Sequence, residues 1–268
     1  MPRSREEAKA HVKLLKMLSG FSPDDEPPAI LPLDYPKAEL RLYVTAKVER
    51  KSRLHSCQKE PWTVEWLEQH ARPGDTVYDV GANVGAYTLV AAHLVGASGR
   101  VVAFEPGYAS FAHLCDNIVL NRFAGVVTPV PLPLGDTSRL SHLAYNRLHP
   151  GQARHLGEDG TTNAAKGAAV YEQPVLQCAL DDLVHSYGLP HPRLLKIDVD
   201  GAELNVLRGA RNILKGPTLE HVLMEIDLEN SDGVVGVLAE AGLHLRTRHQ
   251  RQHEDGTLAG FWYGLFSR

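Results

Sequence analysis

Apolar positions set the outline of the chain. Ala8, Val12, Leu15 and Leu18 recur at three- and four-residue spacing among lysines, predicting an amphipathic helix over residues 4–19 that Gly20 stops. Pro23, Pro27, Pro28, Pro32 and Pro36 then make residues 21–37 an extended connector. Leu40, Leu42, Val44, Ala46 and Val48 alternate with polar neighbours, the signature of a strand with one buried face. Glu60-Pro61 opens a helix running to about Gln69, with Trp62, Trp66 and Leu67 on a shared face.

From residue 76 the pattern becomes strand, helix, strand, helix, strand. Short β-branched runs at 76–80, 100–104 and 126–131 alternate with helical apolar runs at 84–95 and 108–121. Residues 137–176, rich in Gly, His, Asn and Thr, break the rhythm, and a stretch of that length inside a domain is expected to form a hairpin or flap. The alternation resumes with a short helix at 180–187, a strand at 193–199, a helix at 201–214, a strand at 221–226 and a helix at 234–241. Residues 243–248 and 259–266 then read as an antiparallel hairpin joined through Glu254-Asp255-Gly256. Such alternation predicts an α/β domain: a mainly parallel sheet with helices on both faces. The expected division is an N-terminal extension over 1–59 and one main domain over 60–268, interrupted by the flap at 137–176.

Composition adds limits. With 268 residues, 43% hydrophobic and 22% charged, the chain has the make-up of an ordinary globular domain. A net charge of −4 supplies no overall positive field for a nucleic-acid backbone, so nucleic acid is not the expected partner. Cys57, Cys115 and Cys178 are odd in number and widely spaced, which fits neither a disulfide framework nor a CxxC metal site. Charges interrupt the apolar positions of the N-terminus, and no stretch reaches the length of a membrane span, so a cytoplasmic protein is expected. The helix at 4–19 is expected to pack on its own domain or to make a homodimer contact.

The densest chemistry lies in Thr76 to Thr88, TVYDVGANVGAYT, where a strand ends in an acid and a glycine-containing turn before a helix begins. Glycines let backbone approach a ligand closely, and a helix N-terminus offers unpaired N–H groups. The dinucleotide fingerprint GxGxxG is not matched, because Asn83 and Ala86 stand where two of its glycines would be. A nucleotide-dependent oxidoreductase is therefore disfavoured. Glu105, twenty residues after Gly85 at the end of the next strand, is placed to accept hydrogen bonds from both hydroxyls of a ribose and to repel a ribose phosphate. Asp79 is poorly suited to pyrophosphate and well suited to an ammonium group. A nucleoside carrying an amino group is the expected ligand.

In order along the chain stand DVGANVGAYT at 79–88, VVAFEP at 101–106, LGD at 134–136, LKIDVDGAELNVLRGA at 195–210 and LMEI at 223–226. As a set they resemble the class I methyltransferases that use S-adenosylmethionine, and more narrowly the FkbM family, over roughly residues 60–226 and more loosely the final hairpin. The resemblance implies a Rossmann-like three-layer sandwich whose mostly parallel seven-stranded sheet has an antiparallel last strand. It also implies that Asp79, Gly81, Asn83 and Gly85 line the methionine part of the cofactor, with Thr88 among its contacts. Glu105 would hold the ribose and Gly135-Asp136 the adenine, while Glu60 matches more loosely a residue that reaches the methionine end. The family usually has glutamate where this chain has Asp200.

Lys196, Asp198 and Asp200 alternate, so they share one face if the strand extends that far. Asp198 then stands at the carboxyl edge of the sheet, where open α/β folds bind ligands. Lys196 is expected in a buried ion pair, with Glu225 as partner. Glu203 reads as either a site residue or an acid favouring a helix N-terminus.

Methyl transfer aligns nucleophile, methyl and sulfur and excludes water, and a hydroxyl or amide acceptor must also lose a proton. Asp198 is the first candidate base, and it also counts among the cofactor contacts. Asp200 and the flap histidines His142, His149 and His155 stand behind it. A metal held by Asp198 and Asp200 could do the same work, but no compact ligand cluster asks for one and none is expected. The expected reaction is methylation of a hydroxyl oxygen in a sugar, glycan or secondary metabolite. N-methylation of a peptide or side-chain amide, and cofactor binding without catalysis, stand as alternatives.

Overall fold

The computed structural model describes residues 27–145, 150–151, 171–252 and 255–268. The expected helix at 4–19 lies outside these, as do His149 and His155.

Two strands, β1 (Ala29–Pro32) and β2 (Arg41–Val44), pair antiparallel ahead of the main sheet. The alternation through Val48 does not continue as strand. Glu49 Oε2 accepts the backbone N–H groups of Thr45 and Ala46, each at 2.8 Å, and so turns the chain into helix α1 (Lys47–Lys51). An acceptor three to four residues ahead thus ends the strand. Helix α2 (Ser56–Lys59) follows, and then α3 (Pro61–His70), opened by its N1 proline as expected.

The main sheet contains β3 (Thr76–Val80), β4 (Arg100–Phe104), β5 (Val127–Val130), β8 (Leu194–Ile197), β9 (His221–Asp227), β10 (His244–His249) and β11 (Phe261–Ser267). Its order is β10-β11-β9-β8-β3-β4-β5, with β11 antiparallel to both neighbours and the other pairings parallel. This is the class I methyltransferase sheet that the sequence led us to expect.

Period-two alternation sends successive strand residues into different cores. Val77, Val101, Leu194, Leu223 and Tyr263 meet helices α3, α4 (Ala86–Val95) and α5 (Tyr108–Leu120) on one face. Tyr78, Val102, Leu195, Met224 and Trp262 meet α6 (Leu180–His185), α7 (Glu203–Arg208), α8 (Arg211–Lys215) and α9 (Ser231–Glu240) on the other. Three layers result.

The single helix read at 201–214 is two. A Cβ on Gly209 would stand 1.9 Å from the Gly135 carbonyl oxygen, so the chain is pinned there. Asp181 accepts the N–H groups of Asn212 and Ile213 to start the second piece. At the ends of the 137–176 stretch, β6 (Arg139–Tyr145) and β7 (Tyr171–Gln177) pair antiparallel. Among the described residues no helix is long and apolar enough to cross a membrane.

Candidate active site

The site is built where β3 gives way to α4. Asp79 is buried on the first core's face and takes a 2.6 Å hydrogen bond from Thr88 Oγ1 on its Oδ2. Its Oδ1 lies 3.2 Å from Lys196 Nζ, a charge contact, yet no donor is aligned to give it a hydrogen bond. Lys196 is itself buried. Burial alone would lower its pKa, but the carboxylates of Asp79, Asp198 and Glu60 outweigh it, and the ammonium is held charged well above its usual range. Its partners are Asp79 and, at 3.3 Å, Asp198, rather than the Glu225 expected from sequence.

The turn itself requires its residue types. Gly81 has φ +81°, and a Cβ there would lie 1.9 Å from the carbonyl oxygen of Asp198. Backbone of the two central strands therefore touches at the carboxyl edge, leaving no room for a side chain. Asn83 adopts φ +53°, a region that asparagine tolerates, and its Oδ1 accepts the Val84 N–H at 2.9 Å. Gly85, at φ +94°, opens α4 with no side-chain cap, so this ten-residue helix presents first-turn amides toward the turn.

Glu105 follows β4 and is buried. Its Oε2 accepts the Asn83 N–H and its Oε1 the Gly107 N–H, both at 2.8 Å. The carboxylate thus braces two loops. Gly135 and Asp136 lie past the end of β5, where the Gly135 N–H bonds to the Cys178 carbonyl at 3.0 Å. Behind the turn, fully buried Asn117 accepts the Tyr43 N–H and donates to the Val84 carbonyl, coupling β2 to the glycine turn.

Glu60 caps the approach from α3. It is buried, with Oε1 paired to Arg251 Nη2 at 3.1 Å and Lys59 Nζ at 3.4 Å. Its Oε2 is buried without a donor. Glu60 Oε2 is thus buried with no donor, and Asp79 Oδ1 is held only by its charge contact with Lys196, so a ligand ammonium can supply a donor to both.

Asp198 and Asp200 require a correction. Strand β8 ends at Ile197, so alternation along the strand does not extend to Asp200, which stands half-buried in the loop before α7. Asp198 is still held beside β3, because its N–H bonds to the Val80 carbonyl at 3.0 Å, and its side chain is partly open to solvent. Glu203 is turned inward. It accepts the Gly201 N–H and the Asn230 amide and clamps α7 to the start of α9, while burial pushes its carboxyl up to about 7. His142 is exposed on β6.

The structure adds a second group that sequence reasoning passed over. Glu225 on β9 is paired in register with Tyr263 on β11, and Tyr263 with His249 on β10. Trp62 stacks on His249 at 5.4 Å between ring centroids and leans on Tyr263 at 5.0 Å. The Arg251 guanidinium lies over both Trp62 and Tyr263. Trp62 Nε1 and Arg251 Nε are buried donors without acceptors. Burial, then the charge of Asp198, raises the Glu225 carboxyl to about 9. The one sequence signal was an acid inside the apolar run of LMEI.

With this geometry stand the likenesses to known proteins. The methyltransferase FkbM domain model matches residues 79–249. The chain belongs to the FkbM methyltransferase family. It is 26% identical to the hexuronic acid methyltransferase AglP of Haloferax volcanii over 80% of this chain and 82% of that one. It is 31% identical to the 31-O-demethyl-FK506 methyltransferase FkbM of Streptomyces tacrolimicus, over 62% of this chain and 69% of that one. Among solved structures, an FkbM methyltransferase of Methylobacillus flagellatus KT is similar with TM-score 0.45 and 14% identity, covering 82% of this chain and 56% of that chain. The protein is a methyltransferase.

Proposed function

We propose that this FkbM-family enzyme uses S-adenosylmethionine to methylate a hydroxyl oxygen of a sugar, glycan or secondary metabolite. The observation that carries the cofactor reading is the pair of buried carboxylate oxygens beside the glycine turn that accept no hydrogen bond, Glu60 Oε2 with no donor near and Asp79 Oδ1 with only the Lys196 charge contact. An amino-acid ammonium, unlike a pyrophosphate, can give both an aligned hydrogen bond. In this reading Asp79 and Glu60 hold the ammonium, Gly81, Asn83 and Gly85 admit the methionine chain, and Thr88 keeps the Asp79 carboxylate in place. Glu105 takes the ribose hydroxyls, and Gly135-Asp136 borders the adenine.

When bound, the cofactor supplies an electrophilic methyl on a sulfonium. The protein's share is to align the acceptor oxygen, exclude water and take a proton. Asp198, beside Gly81 at the carboxyl edge and partly open, faces the side from which an acceptor arrives, with Asp200 next in the same loop. Trp62, Tyr263 and Arg251 wall that side. An oxygen acceptor is supported by the O-demethyl wording in the name of the FK506 relative, and a sugar by the hexuronic acid in the name of the Haloferax volcanii one.

Titration calorimetry with S-adenosylmethionine and S-adenosylhomocysteine tests the cofactor, and a protein that bound only NAD would overturn the reading. Radiolabelled methyl transfer to a panel of neutral sugars, uronic acids and macrolactone alcohols tests the acceptor. Label appearing only on peptide amides would replace the hydroxyl reading with the amide one.

A further inference from the structure

The sheet sets five residues in one row along its carboxyl edge. Ile197 on β8 pairs with Met224 on β9, Asp198 and Glu225 are the residues that follow this last pair, the Asp198 charge acts on Glu225, and Glu225 in turn pairs with Tyr263. Neighbouring strand residues at one level point to the same face. That face is the first core's, because Leu194, Leu223 and Tyr263 all belong to it. The row starts at Gly81, packed against the Asp198 carbonyl, and continues through Glu225 and Tyr263 to His249. Asp198 is partly open to solvent, and Glu225 is paired in register with Tyr263.

We propose that Asp198 and Glu225 act as one carboxyl pair that removes the acceptor's proton, with Tyr263 fixing Glu225 in place. This rests on the methyltransferase reading above. Lys196 contacts Asp198 from below, and Glu60, Asp200 and Tyr263 are the other titratable groups acting on Glu225. With burial, a neighbouring acid and only one lysine shared with Asp79, Glu225 holds its proton more tightly than an ordinary carboxyl.

The working form is the doubly ionised pair. The acceptor O–H bond breaks toward the pair, which gains the proton, and the oxygen forms a bond to the methyl carbon. The carbon–sulfur bond breaks at the same time, and the sulfur keeps the electron pair as a neutral thioether. A base that binds its proton tightly is better matched to an alcohol than an ordinary carboxylate is. A bound sulfonium, being positive, favours loss of the pair's resting proton, whereas a neutral thioether does not.

The test is a pH titration of protein carrying 13C at its carboxyl carbons, followed by NMR. Wild-type protein should show a carboxyl titrating near pH 9. That titration should be absent in Glu225→Gln and displaced to lower pH in Asp198→Asn, where a neighbouring negative charge is removed. S-adenosylmethionine should move it downward and S-adenosylhomocysteine should not. On the hydroxyl acceptor found in the panel, Glu225→Gln should lower kcat at least a hundredfold with KM little changed, and the alkaline rise in kcat/KM should vanish. Persistence of the titration in Glu225→Gln, or wild-type turnover and pH profile in that variant, overturns the proposal. Failure of the wild type to bind S-adenosylmethionine instead rejects the reading on which it rests. Should Glu225→Gln misfold, Tyr263→Phe supplies the second arm, expected to displace the same titration upward, and an unmoved titration counts against the proposal.

Discussion

The backbone N–H of Asn83 donates to Glu105 Oε2 at 2.8 Å, so the acid at the end of β4 sets the shape of the turn after β3. Under the S-adenosylmethionine reading, the same carboxylate has two duties. Glu105→Ala should weaken cofactor binding by about 1.5–3 kcal/mol, the worth of hydrogen bonds to a charged group, or roughly ten- to a hundredfold in Kd by calorimetry. It should also lower Tm, because the Asn83 and Gly107 N–H groups lose their acceptor. An unchanged Kd with a lowered Tm would leave Glu105 as a loop brace alone.

Gly81→Ala tests the contact of the two central strands. Its backbone at φ +81° costs an L-residue about 1–2 kcal/mol, and the added carbon would meet the Asp198 carbonyl oxygen at 1.9 Å. Backbone must shift, and what shifts is the loop that carries Asp198. The expected result is a lower denaturation midpoint together with loss of turnover. Ala introduced at Gly96 meets no atom within 4 Å, although its φ is also positive, and should cost only the conformational part.

Removing the charge at Lys196 should be worse than removing one of its partners. Lys196→Met leaves Asp79 buried beside Asp198 with no cation between them, and breaking such a buried pair costs about 3–5 kcal/mol. Asp79→Asn keeps Asp198 for the lysine and preserves the Thr88 contact, so its stability loss should be smaller. Urea denaturation at pH 7 separates the two, and equal losses would contradict a lysine shared by both acids.

Where local pattern decides structure, the sequence was legible. Arg100–Phe104 and Thr76–Val80 are the strands that their β-branched runs predicted, and the order of alternating elements led to the seven-stranded sheet. The misreadings have non-local or side-chain causes. The strand expected through Val48 ends early because Glu49 captures two backbone N–H groups, and the helix at 201–214 breaks because Gly209 touches Gly135, far upstream. Asp200 drops out of the row because β8 ends three residues before it. Glu225, read from the sequence only as a partner for Lys196, was not legible as a site acid for the same kind of reason. Its raised pKa comes from burial against partners on β8 and β11, and only the register reveals those partners.

At the opposite edge of the sheet, His70 and His221 stack with ring centroids 3.8 Å apart, close to Arg193, which bridges Asp75 and Glu220. Burial, then His70 and Arg193, lowers the His221 pKa to about 4, and burial with Arg193 also lowers that of His70. The folded state therefore prefers both rings neutral, while the unfolded chain protonates them near the ordinary value of about 6.5. For a group with a depressed folded pKa, the stabilisation is present above the unfolded value and is lost as pH falls toward the folded one. Tm should accordingly decline between about pH 6.5 and pH 4, beyond the loss due to carboxylates. His221→Phe, which preserves ring stacking and cannot protonate, should flatten that decline without altering Tm at pH 8 by more than a degree or two. A decline just as steep in His221→Phe would place the acid sensitivity elsewhere in the fold.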